Sequence, residues 1–73
     1  MRRAVNFLRG SVEVEASGPF PERFLNLCAQ RGVVFWGVTW MDSGAVRIQV
    51  PRSARRSLDA LAQRAGCTLT EVE

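Results

Sequence analysis

Two helical stripes in this chain repeat the same residues just before a glycine. "LNLCAQRG" covers 25–32 and "LDALAQRAG" covers 58–66, so Ala29-Gln30-Arg31 matches Ala62-Gln63-Arg64. Each stripe follows a segment in which every second residue is apolar: Val12, Val14 and Ala16 before the first, Val46, Ile48 and Val50 before the second. A period of two marks a strand and a period of three to four marks a helix. Doubling that unit within 73 residues leaves room for little else, so the echo restricts the fold more than any other feature of the chain.

The remaining signals place the boundaries. Ser11 to Ala16 reads as a strand with Ser11, Glu13 and Glu15 on a wet face. Ser17-Gly18-Pro19 breaks it, and Pro21 suits a first helical position, with Glu22 near the positive helix end. Phe24, Leu27, Cys28 and Arg31 follow helical spacing, flanked by Phe20 and Leu25, and Gly32 supplies a C-terminal stop. Val33 to Met41, rich in β-branched and aromatic residues, reads as the second strand. Asp42-Ser43-Gly44 is a turn, Ala45 to Val50 a third strand with Arg47 and Gln49 outward, and Pro51 its end. Ser53 is the expected N-cap of a helix carrying Ala54, Leu58, Leu61, Ala62 and Ala65 on one stripe. Gly66 repeats the stop, and Cys67 to Val72 is the last strand.

The order strand, helix, strand, strand, helix, strand predicts an α+β fold of the ferredoxin-like βαββαβ kind. Its four-stranded antiparallel sheet is expected in the order 4-1-3-2, with both helices on one face and strands two and four at the edges. The whole of 1–73 forms one domain in this reading, with 1–9 as an N-terminal extension. Phe7 and Leu8 are expected to cover part of the core, and Arg2, Arg3 and Arg9 to be solvated. The longest unbroken apolar run, Val33 to Trp36, is far short of the ~20 residues a membrane helix needs. Ala4 to Leu8 is too short and broken for a signal peptide.

Catalytic chemistry finds little support. Histidine, lysine and tyrosine are absent, which removes imidazole bases, lysine Schiff bases and histidine metal ligands. Cys28 and Cys67 have no metal-site spacing. Cys28 falls on an apolar stripe and is expected to be a small buried hydrophobe, with a bond to Cys67 possible but not required. No glycine cluster forms a phosphate loop. We therefore expect no enzyme, no cofactor and no metal. The net charge of +3 comes from ten scattered arginines, a weak pull towards anions. An RNA-binding sheet of this topology needs aromatics on its two central strands. Here those strands present Glu13, Glu15, Arg47 and Gln49, so nucleic acid is not the expected partner. A nucleic-acid or small-ligand binding domain of the same topology is the alternative reading, with no ligand motif visible.

What remains is "RGVVFWGVTW", residues 31–40, apolar on both alternations. If 42–44 form a three-residue hairpin loop with Gly44 left-handed, Met41 pairs with Ala45. Trp40, Val38 and Trp36 then oppose Val46, Ile48 and Val50 and fill the core. Val33, Phe35 and Met41 lie on the other face with Arg47 and Gln49. A loop one residue shorter or longer inverts the assignment. Either way an edge strand keeps an apolar face away from the helices, which invites a partner. The expected interaction residues are Val33, Phe35, Trp36, Trp40, Met41 and Arg47. The expected partner is a second copy of the chain or another protein domain.

Phe7, Leu8 and Gly10, then Asn26, Leu27 and Cys28, Arg31 and Gly32, and Phe35, Trp36 and Val38 resemble the N-terminal domain of the YqfD-type sporulation proteins of spore-forming Firmicutes. The resemblance runs from about Phe7 to Val72. It departs at Ser53-Ala54-Arg55-Arg56, where the family often has aromatic and lysine residues. The resemblance implies a longer, membrane-anchored protein in which this part is a soluble domain on the cytoplasmic side. It also implies partners within the sporulation machinery, and no catalytic residue to carry over.

Overall fold

The computed structural model describes residues 10–41 and 44–72. The elements are β1 (Ser11–Ser17), α1 (Pro21–Gln30), β2 (Trp36–Trp40) and β3 (Ala45–Pro51), then a 3-10 turn (Arg52–Ala54), α2 (Arg55–Ala65) and β4 (Thr68–Val72). The strands form one antiparallel sheet in the order β2-β3-β1-β4, with β2 and β4 at its edges. Counted from the β4 edge, this order reads β4-β1-β3-β2.

The alternation noted above sets the central pair. β1 and β3 run in register from Ser11 opposite Pro51 to Ser17 opposite Ala45. Opposed residues share a face, so Val12, Val14 and Ala16 stand beside Val50, Ile48 and Val46, and all six are buried. Phe24 and Cys28 of α1 and Leu58, Leu61, Ala62 and Ala65 of α2 close over them as one cluster. Full burial of each large side chain stabilises by roughly 1.5–3 kcal/mol. The two helices pack against each other as well as on the sheet.

Pro21 opens α1, and Gly66 (φ 76°) terminates α2 in the left-handed region. β1, β3 and β4 each differ from expectation by one residue at one end, and two other boundaries differ for a physical reason. Ser53 does not cap α2: it lies inside the 3-10 turn, Ala54 stands at the cap, and no side chain bonds the first turn. Pro51, with its φ fixed at −60°, leads straight into that turn and takes up the position a cap would need. The second strand is five residues long, Trp36–Trp40, because residues 33–35 reach the sheet without joining it. Residues 1–9, to which Phe7 and Leu8 belong, lie outside the described residues, as do Asp42 and Ser43. No helix among the described residues is long and apolar enough to cross a membrane.

Candidate functional site

The site is built by the way β2 leaves the hairpin. The Met41 backbone N–H donates to the Ala45 carbonyl at 3.0 Å, which leaves 42–44 as the connecting residues. Gly44 has φ 99°. Trp40 then opposes Val46 and Thr39 opposes Arg47, the register of a three-residue loop. Beyond Thr39 that register breaks. Trp36 opposes Gln49, not Val50, so Gly37 and Val38 together face Ile48. Gly37 has φ 63°, the left-handed glycine that opens a bulge of two residues against one.

The extra residue splits the strand into two facings. After the bulge, Trp40 keeps to the helix-bearing side, set by its opposition to Val46, and Val38, two residues before it, shares that face. Before it, Trp36 moves to the open face beside Gln49, and Phe35 turns towards the helices. Phe35 and Val33 are partly buried against the core. The expectation that Val33 and Phe35 share the open face with Arg47 and Gln49 is therefore corrected, and so is the opposition of Trp36 to Val50.

Val38 and Trp40 face the helices but do not fill the core. Trp40 is 54% exposed and Val38 43%, whereas Phe24 and Ile48 are 0%. The cause is coverage. α1 lies over β1 and β3 and α2 lies against β4, while β2 packs mainly on β3. Among the described residues no helix lies above the helix-side face of β2. Phe20, Val34 and Met41 are also exposed. Gly18 donates to the Gly44 carbonyl at 2.8 Å, so Phe20, two residues further on, lies at the same end of the sheet as Met41 and Trp40. Phe20, Val34 and Val38 were missing from the expected set. Phe20 carried a signal, standing between Pro19 and Pro21 just before a helix, where its side chain has no core position to reach.

The open face is different in kind. Glu15 opposes Arg47, and the Arg47 Nε donates to Glu15 Oε1 at 2.8 Å. Arg47 is thus tied to the middle of the open face, away from Trp40. Arg55 bridges Asp59 and Glu71 at 3.1 and 3.4 Å. Cys28 and Cys67 are both free thiols. Burial pushes the Cys28 thiol up to about 11. Cys67 is raised by burial first and by Glu22 second, with Arg23 opposing. Among the described residues no group of three or more metal-ligating side chains converges.

Residues 6–73 match the family model described as "Putative stage IV sporulation protein YqfD". The chain belongs to the YqfD family. The match takes in every described element of the fold, and it makes the chain a sporulation-associated protein. The YqfD match also includes the Phe7-Leu8 opening and the whole of 31–40, so the bulge, both tryptophans and Phe20 all lie within it. No curated protein matches the chain.

Proposed function

We propose that this chain is a non-catalytic protein-contact domain, ferredoxin-like in class, which docks through the helix-side face of β2. The observation that carries this reading is the exposure of Trp40 and Val38 on a face that would be core if a helix lay above it. Large aromatic and branched side chains held on a rigid strand suit the centre of an interface.

The structure also bears on how docking would occur. Strand addition needs a straight edge with regularly spaced free backbone groups. β2 is short and bulged, and bulges blunt edges against such pairing. We therefore read the contact as side-chain packing. The occupant we favour is a second copy of the chain. A two-fold interface sets one patch against itself, and Val38 and Trp40 carry no charge to repel a copy. Another domain of the same protein, or of the sporulation machinery, is the alternative occupant. From the family resemblance we place the domain on the cytoplasmic side of a membrane-anchored protein. Protease protection of the full gene product in sealed vesicles tests that placement.

Nucleic acid ranks behind protein. The Glu15–Arg47 pair at the middle of the open face, with Glu13 beside it, supports that order, since carboxylates there oppose phosphate. The direct test is the two indole N–H resonances as the chain is concentrated. Self-docking predicts that Trp40 shifts while Trp36, on the opposite face, stays put. Equal movement of both, or of neither, argues against the reading.

A further inference from the structure

The outer surface of the helix layer carries a feature separate from β2. A groove of about 330 Å³ lies where the segment after α1 meets α2, lined by Arg31, Val33, Ser57, Ala60, Leu61 and Arg64. A second groove, of about 240 Å³, continues from Arg64 along α1 past Arg23, Asn26 and Gln30. Residues 23, 26, 27 and 30 share one helical face, and 57, 60, 61 and 64 share another, so the two grooves run along the seam between the helices.

No carboxylate lines either groove. Among the described residues the ion pairs use Arg47 and Arg55, and none uses Arg23, Arg31 or Arg64. Of the two helical acids, Asp59 is held by Arg55 and Glu22 lies outside both linings. A cation near a helix C-terminus complements the helix dipole, which accounts for the sign of Arg64 in the last turn of α2. It does not account for three arginines meeting along one seam beside a hydroxyl and two carboxamides.

We propose that this seam binds a phosphate group. Arg31 and Arg64 would grip its oxygens, the Ser57 hydroxyl would donate to them, and Val33, Ala60 and Leu61 would form an apolar floor for whatever the phosphate is attached to. Guanidinium forks match phosphate geometry and stay charged at any physiological pH. The phosphate would come either from a soluble molecule or from a lipid headgroup.

The test follows the arginine Nε–H and Ser57 amide resonances during titration with inorganic phosphate. In parallel, co-sedimentation is measured with vesicles of phosphatidylglycerol and of phosphatidylcholine. Saturable shifts at Arg31, Ser57 and Arg64 are expected. They should weaken about tenfold in Arg64→Gln, the loss of one charge-assisted hydrogen bond, and persist in Arg52→Gln. Vesicle binding that needs phosphatidylglycerol and is lost in Arg31→Gln/Arg64→Gln assigns the phosphate to lipid. Phosphate shifts without vesicle binding assign it to a soluble molecule. The proposal is overturned by shifts that never saturate and spread equally over Arg52 and Arg56, or by binding that survives in the double variant. These side chains are exposed, so the variants keep the core intact, and Trp40→Glu should leave phosphate binding unchanged.

Discussion

At the scale of single residues, two glycines and one cysteine carry sharp expectations. Gly37 sits at φ 63°, and a Cβ there would meet Gln49 Nε2 at 3.3 Å. Gly37→Ala should cost about 1–2 kcal/mol, the usual cost of a left-handed backbone for an L-residue, read from the urea midpoint. Gly18 has an ordinary backbone but no room: an added Cβ would lie 2.7 Å from the Gly66 carbonyl oxygen. Gly18→Ala should therefore destabilise by about 1–3 kcal/mol as the β1–α1 and α2–β4 junctions are forced apart. Cys28 sets a limit at high pH. Burial pushes its thiol up from the ordinary 9.0 to about 11 in the fold. Between those values the unfolded chain has lost a proton that the folded chain keeps, so stability falls as pH rises through that window. Cys28→Ala should flatten this decline in urea titrations from pH 8 to 11. The same burial should leave Cys28 slow towards a thiol reagent at pH 8, with the half-buried Cys67 reacting first.

At the scale of elements, the hairpin of β2 and β3 decides the account. Removing a core anchor such as Leu58, buried at 0% beneath the sheet, should cost about 2–5 kcal/mol and threaten a domain this small. Removing Trp40 should cost far less, because over half its surface is already in solvent. Trp40→Ala is therefore expected to shift the urea midpoint only slightly while changing association. Most elements could be read from sequence because their signals are local: the alternations at 12–16 and 46–50, Pro21, and the glycines that end each helix. The three-residue loop could be counted from Gly44 for the same reason. The bulge could not. A glycine inside an apolar strand is compatible with an even strand, a bulge or a close contact, and only the pairing of Trp36 with Gln49 distinguishes them. That one uncounted residue turned Phe35 inward and Trp36 outward. It also answers why 31–40 is apolar on both alternations: the strand changes face halfway along. Ser53 misled for a related reason, since a good cap residue two positions after a proline can be absorbed into a 3-10 turn.

At the scale of the molecule, a four-stranded sheet is wider than two helices cover. The two described helices lie over β3, β1 and β4, and neither extends over β2. Sequence patterning shows which residues point towards a helix layer but not where that layer ends, so Val38 and Trp40 read as core. Their exposure is the basis of the proposed contact surface, and the seam arginines lie on the outer side of the helix layer, so the two surfaces are separable by mutation. The measurement that tests the contact surface most directly is sedimentation equilibrium of the wild-type chain and of Trp40→Glu up to millimolar concentration. The account predicts that the wild-type mass climbs from the 8.1 kDa of one chain towards twice that value, while Trp40→Glu stays at one chain with an unchanged urea midpoint. A wild-type chain that remains monomeric throughout, or a Trp40→Glu variant that dimerises equally well, would contradict it.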